Sequence, residues 1–376
     1  MTLLNPKNKS SRQNLILLAV SFALGLGSSE YIVRRFELAP EVLRQSGALH
    51  FVDNPKMVYE YFPNSKVSNI KVNNQGFNDS DFVLEKPQGL IRIAMLGDSI
   101  TKGEGVPKKK TFSDKLEDIL NRRERDRGSP QRYEVMNFGV GGYNLEAEVE
   151  VLKEKVLPYH PDIVILNMYW NDNEIIPGIY QLFVSNRYKL TEKQQISLAR
   201  EYVSRRNSFT RWLERNVLYR SKLYLFIVTR LASFQTTVNL LKGGNIPNQF
   251  SDHTNMENIY RGFRKISQLK DQYGFGFLIC IHPDLLYIES QNNYIFADIA
   301  QSFNFDCFHM FSHYKGKGIS PEALQRADDP EDKCHPNEFG HDLIAEAMLL
   351  EIEKHGLIAR AREQAVGQGA TLKLMR

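Results

Sequence analysis

The chain has 376 residues, of which 42% are apolar and 24% charged, with a formal net charge of +4. Enough apolar side chain is present to bury a sizeable core, so the composition is that of an ordinary folded protein rather than a disordered one. The slight basic excess lacks the concentrated stripe of a nucleic-acid binder, so no nucleic-acid partner is expected.

The first element is an apolar stretch. Lys7, Lys9 and Arg12 precede Leu15 to Gly27, the arrangement of an export signal. Cleavage near Gly27-Ser28-Ser29 would release the rest. Extension through Tyr31-Ile32-Val33, with Arg34 and Arg35 at the far interface, gives an uncleaved single-span anchor instead. The poor small-residue pattern at the cleavage point favours the anchor, and either reading puts the remainder outside the cytoplasm, in the periplasm if the cell is Gram-negative. Residues 1–35 are therefore set apart as signal peptide or transmembrane anchor.

Residues 36–90 are rich in turn formers and aromatics, as in Tyr59-Glu60-Tyr61-Phe62-Pro63 and Asn73-Asn74-Gln75-Gly76-Phe77. Short strands and turns are expected there, as a lead-in to the main domain. Strand-like runs then alternate with helical stretches: a run at 91–96, a helix through Phe112 and Leu120, a run at 133–137, a helix at 145–157 and a run at 162–168. After an interruption the pattern resumes, with a helix at 256–273, a run at 275–281, a helix at 294–302, a short run at 305–308 and a closing helix at 338–354. Short apolar runs without polar alternation, separated by helices, predict a three-layer α/β/α domain on a mostly parallel sheet, here over 91–355. The interruption, 175–255, reads as a helical insertion that forms either a lid or platform or a plain helical cap, and 356–376 reads as a loosely held polar tail.

The three cysteines, Cys280, Cys307 and Cys334, have no metal-binding spacing. No metal or cofactor is expected. An exported domain allows one disulfide, and Cys307 with Cys334 is the pair expected.

Chemistry-bearing residues gather at the carboxyl ends of the runs, where open α/β sheets place their ligands. The first run ends in Gly97-Asp98-Ser99-Ile100, which sets a serine at a strand-to-helix turn. The second ends in Asn137-Phe138-Gly139-Val140-Gly141-Gly142-Tyr143, a glycine-rich turn whose backbone N–H groups can approach a ligand closely. The third ends in Tyr169-Trp170-Asn171-Asp172, where Asn171 could donate to an oxyanion. Before the last helix stands Asp332-Lys333-Cys334-His335, in which an Asp three residues ahead of a His can hold the imidazole for work as a base. His282, followed by Pro283 and Asp284, is the rival base.

In their order these four stretches resemble the SGNH (GDSL-like) hydrolase family, membrane-tethered bacterial members in particular. The resemblance implies that family's flavodoxin-like fold, with Ser99 as nucleophile, His335 and Asp332 as its base pair, and Ser99, Gly142 and Asn171 as oxyanion donors. One departure stands out: Tyr169 replaces the glycine usual in the third block, which alters the shape of the oxyanion pocket.

The expected reaction is acyl-ester hydrolysis. An O-acetylated cell-surface carbohydrate is the first substrate candidate, with Tyr143, Tyr169 and Trp170 available to stack on sugar rings. A lipid esterase or an O-acyltransferase using the same triad is the alternative enzyme, and a silent glycan-binding or assembly protein is the alternative without chemistry.

Overall fold

The computed structural model describes residues 6–36, 38, most of 49–70, 71–173, a few positions between 213 and 227, 256–285, 292–329 and 332–364. Its centre is a sheet of five parallel strands: β5 (Leu90–Gly97), β6 (Arg132–Asn137), β7 (Ile163–Met168), β8 (Gly276–Ile281) and β9 (Asp306–His309). Each lies within a residue or so of its expected run. These strands are buried on both faces, so they carry continuous apolar runs rather than alternation.

The spatial order is β6-β5-β7-β8-β9, so the direction of winding changes between β5 and β7. Loops diverge there, and a crevice opens at the carboxyl ends of the strands. The register brings those ends level, with Met95 opposite Asn137, Gly97 opposite Asn167 and Met168 opposite Ile281.

The sheet separates two apolar layers. On one side α3 (Phe112–Asp126) and α9 (Glu338–Lys354), which follows the short helices α7 (Met310–Gly316) and α8 (Pro321–Leu324), bury Phe112, Leu116, Leu120, Ile344 and Met348 against Ile91, Ile93 and Ile165. On the other, α4 (Leu145–Val151), α5 (Met256–Tyr273) and α6 (Asn292–Ser302) pack onto Ala94, Leu96, Val164 and Ile279. Alternate residues of each strand supply the two layers, as the period of two requires.

The lead-in forms two small antiparallel hairpins: β1 (Leu49–Phe51) with β2 (Tyr59–Tyr61), and β3 (Lys66–Val67) with β4 (Ile70–Lys71). It does more than precede the domain. Tyr59, Tyr61, Val72, Phe77 and Phe82 are buried in the same core as the α4 and α5 layer. Arg92, fully buried on β5, fastens it from below. Its guanidinium pairs with Glu134 at 2.6 Å and donates to the carbonyls of Val83 at 2.6 Å, Leu84 at 3.2 Å and Tyr159 at 2.8 Å.

At the N-terminus α1 (Pro6–Arg35) is one continuous helix. Its segment Gln13–Arg35, 23 residues long and containing an 18-residue stretch with a mean hydropathy of 1.7, is long and apolar enough to cross a membrane. Near its far end the Glu30 carboxylate accepts from Ser221 Oγ at 2.8 Å and from the backbone N–H of Lys222 at 2.9 Å and of Leu223 at 2.8 Å. The insertion expected over 175–255 lies otherwise almost wholly outside the described residues.

Two expectations need correction. Residues 357–364, read as the start of a loose tail, form a further helix that closes one apolar layer. Leu357 and Ala361 are buried, and Arg362 bonds Glu124 at 2.5 Å and Tyr133 Oη at 2.6 Å. The Cys307–Cys334 disulfide is not formed, and all three cysteines are free thiols. Cys307 lies on β9, the last strand of the sheet, against one apolar layer, whereas Cys334 belongs to the loop before α9, beside Asp98 and Asp284.

Candidate active site

Ser99 opens the short helix α2 (Ser99–Lys102) at the carboxyl end of β5. The turn that presents it depends on Gly97, whose φ is +151°; a Cβ there would stand 2.1 Å from Thr101 Oγ1 and 2.9 Å from the Asn167 carbonyl. Asp98 is buried and turns its carboxylate onto the Ile100 N–H at 2.9 Å, capping α2 and leaving Ser99 at the elbow.

The loop before α9 carries the partner groups. His335 Nε2 lies 2.7 Å from Ser99 Oγ, and His335 Nδ1 lies 2.7 Å from Asp332 Oδ2. The other carboxylate oxygen, Oδ1, accepts from the backbone N–H of Cys334 at 3.0 Å and of His335 at 3.1 Å, so both oxygens of Asp332 are fixed in direction. Arg326 adds a bond to Oδ2 at 3.1 Å. Burial works to raise the Asp332 carboxyl, but the His335 imidazole and the two backbone N–H groups outweigh it and hold it at about 2. A hydroxyl, an imidazole and an ionised carboxylate thus stand in one hydrogen-bonded line, an arrangement able to take a proton from Oγ and stabilise the resulting imidazolium.

The glycine-rich turn after β6 closes against α2. Asn137 Nδ2 donates to the Thr101 carbonyl at 2.7 Å, and Asn137 Oδ1 accepts from the Gly139 N–H at 2.9 Å. At Gly139 a Cβ would meet the backbone nitrogen of Lys102 at 2.2 Å, so the two segments can touch only through glycine. Gly142 follows with φ +75°. Among the described residues, neither the Ser99 nor the Gly142 N–H has an acceptor. Asn171, after β7, donates its amide to the Tyr143 carbonyl at 2.8 Å, which ties the third loop to the second.

The residues singled out in the four motifs therefore meet at one edge of the sheet. His282 does not join them. It is buried, with Nε2 3.2 Å from Asn167 Oδ1, and burial drives its imidazole down to about 3, so it stays neutral as part of the core. Tyr143 is also unavailable for stacking on a ligand, because it is fully buried with its hydroxyl on the Tyr59 carbonyl. Trp170 remains exposed at 39%, next to a half-buried Tyr169.

Several contributors escape sequence reading. Tyr59 and Tyr61 come from the lead-in; their i, i+2 spacing signals a shared strand face but no target for it. Lys102 is fully buried and ion-paired with Glu104, and no single-sequence signal marks Arg326 as the companion of Asp332.

Behind Asn171 lies a buried acid cluster of Asp98, Glu148 and Asp172. Neither oxygen of Glu148 has a hydrogen-bond donor among the described residues. Burial first, then the neighbouring Asp172 and Asp98, push Glu148 well above the ordinary 4.5, so the folded chain holds it protonated. The unfolded chain ionises it above about pH 4.5, so stability from this group is complete below that pH and is lost as pH rises. Glu148→Gln, neutral at every pH, should raise the melting temperature relative to wild type by an amount that grows from pH 5 to pH 8. A pH-independent difference would show that Glu148 is ionised in the fold.

The sequence pattern of the family described as GDSL-like Lipase/Acylhydrolase matches residues 93–348. No curated protein matches the chain significantly. Among solved structures, a two-domain esterase (CEX) active on acetylated mannans is similar with a TM-score of 0.42 at 14% identity, covering 70% of this chain and 49% of that one. The chain thus spans about half the length of that protein. The acetyl xylan esterase AlAXEase gives a TM-score of 0.39 at 15% identity, over 70% of this chain and 100% of that one. A variant of Axe2, an acetyl xylan esterase from Geobacillus stearothermophilus, gives 0.41 at 15% identity, over 70% and 94%. The family match takes in well over half of the chain, including Ser99, Gly142, Asn171, Asp332 and His335. The chain belongs to the GDSL-like lipase/acylhydrolase family.

Proposed function

We propose that this chain is a serine ester hydrolase that works through an acyl-enzyme on Ser99. The observation that carries the reading is the unbroken line from Ser99 Oγ through His335 to Asp332, with both bonds 2.7 Å long. In the reaction, Oγ attacks the ester carbonyl carbon while His335 Nε2 takes its proton. The carbonyl oxygen becomes an oxyanion, held by the N–H groups of Ser99 and Gly142 and by the Asn171 amide. Collapse of this intermediate breaks the bond to the alcohol, which leaves with the proton from His335. The acyl group stays on Ser99 until water, deprotonated by the same imidazole, releases it as the acid. An acceptor hydroxyl in place of water would make the same site an acyltransferase.

The substrate we favour is a short acyl ester, acetyl above all, on a cell-surface carbohydrate. Trp170 supports it: an exposed indole directly before Asn171 in sequence offers a sugar ring a flat apolar face beside the ester. With α1 as an uncleaved anchor, the catalytic domain would work outside the cytoplasm, close to the membrane surface.

The test is fluorophosphonate labelling of the full chain in detergent, with the modified peptide mapped. An adduct on Ser99, together with faster cleavage of p-nitrophenyl acetate than of long-chain esters, is the expected result. A folded wild-type chain that takes no label would overturn the serine-hydrolase reading, and a preference for long chains would move the substrate to lipid.

A further inference from the structure

The oxyanion turn is gripped from behind by a residue of the lead-in, which the family match, starting at residue 93, does not include. Tyr59, on β2 and 1% exposed, donates its hydroxyl to the Gly141 carbonyl at 2.8 Å. That carbonyl and the Gly142 N–H belong to the same peptide unit. In a planar trans peptide they point in opposite directions, so a donor fixed on the oxygen also fixes where the N–H points. The same bond polarises the amide and strengthens its N–H as a donor.

We propose that Tyr59 is a positioning residue for the oxyanion hole, acting through the Gly141–Gly142 peptide. The assignment rests on the serine-hydrolase reading above. Tyr59 engages both neighbours of Gly142: its hydroxyl takes the Gly141 carbonyl, and its own carbonyl accepts the Tyr143 hydroxyl, with the two rings packed at 5.3 Å between centroids. The Tyr143 carbonyl in turn receives the Asn171 amide, so the chain of bonds that starts on β2 reaches the side-chain donor as well. Tyr61, two residues along the same strand, supports the turn from beside Tyr59. A Cβ on Gly141 would stand 3.0 Å from its hydroxyl, which lies 3.4 Å from Lys102 Nζ. A phenylalanine at 59 would fill the same space and leave the buried Gly141 carbonyl without its donor. Apolar packing alone does not account for a tyrosine there.

The experiment compares Tyr59→Phe with wild type in the full chain, reading the rate of fluorophosphonate capture and kcat and KM on p-nitrophenyl acetate. Loss of a donor itself costs about 10²-fold or more, so misalignment of one should slow capture and kcat together by about tenfold. KM should stay within about twofold, because ground-state binding is untouched. The pH profile should keep its midpoint, since His335 and Asp332 are unaltered, whereas damage spread to the triad would move it. Capture and kcat within twofold of wild type in a folded Tyr59→Phe would overturn the assignment and leave the serine-hydrolase reading intact. A wild-type chain that takes no label would overturn both. Should Tyr59→Phe fail to fold, Tyr143→Phe, which removes the donor from the Tyr59 carbonyl, is read in the same way: a several-fold slower capture supports the assignment and an unchanged rate overturns it.

Discussion

Asp332→Asn should slow turnover by about 10⁴-fold while leaving the fold in place. The size follows from the direction of each bond. Asp332 Oδ1 is committed to the N–H groups of Cys334 and His335, so an asparagine must place its carbonyl oxygen there. Its NH2 then occupies the position of Oδ2, 2.7 Å from His335 Nδ1. An amide donor at that point selects the imidazole tautomer with the proton on Nε2, which faces Ser99 Oγ as a donor and cannot accept the serine proton. Arg326 worsens the position, because its guanidinium also aims at Oδ2 and would meet a second donor. The carboxyl, held at about 2 against an ordinary 3.8, stabilises the fold above pH 4, and that contribution is lost as pH falls through 2. The variant should therefore melt lower than wild type at pH 7, by a gap that narrows toward acid. Fluorophosphonate capture rates give the activity arm directly, and a loss of less than about tenfold would show that Asp332 does not set the tautomer.

The sequence carries much of this site for a specific physical reason. Parallel strands buried on both faces must be apolar throughout, so five short runs separated by helical periodicity define the sheet. Whatever polar residue directly follows such a run then lies at the carboxyl edge. Ser99, the Gly139 to Gly142 turn and Asn171 follow from that rule, and Asp332 with His335 from their spacing just before the last helix. Relations across the chain are not legible in this way. Nothing in Tyr59-Glu60-Tyr61 says that its two buried hydroxyls turn toward a glycine turn about eighty residues on. Tyr143 borders the turn and in sequence reads as part of an aromatic rim, yet its side chain points inward to β2. The expected Cys307–Cys334 pair is absent for the same reason, since the sequence does not say which layer a side chain enters. The helix at 357–364 is not legible in the sequence because Leu357 and Ala361 are too few to signal it until α3 and the sheet give them a surface to cover.

Asn171→Ala should reduce turnover by about 10²- to 10³-fold, the range for an oxyanion donor. In the proposed role the side chain is held at two points. Its amide bonds the Tyr143 carbonyl at 2.8 Å, and the loop that carries it is closed by the Tyr169 N–H on Asp172 Oδ2 at 2.7 Å. Alanine removes the amide and its bond to the Tyr143 carbonyl but leaves the loop closure, so the main loss should fall on kcat, with a modest fall in the melting temperature from the carbonyl left unpaired. Asn171→Asp separates electrostatics from packing, because it keeps the shape of the side chain and reverses its charge character. A carboxylate there would face the developing oxyanion, forfeit the bond to the Tyr143 carbonyl and sit near the buried Asp98. On electrostatic grounds Asn171→Asp must be slower than Asn171→Ala despite its closer fit, and the gap should widen as pH rises and the introduced carboxyl ionises. If the aspartate variant turns over faster than the alanine variant, Asn171 acts by filling space, and the oxyanion is held by the two backbone N–H groups alone.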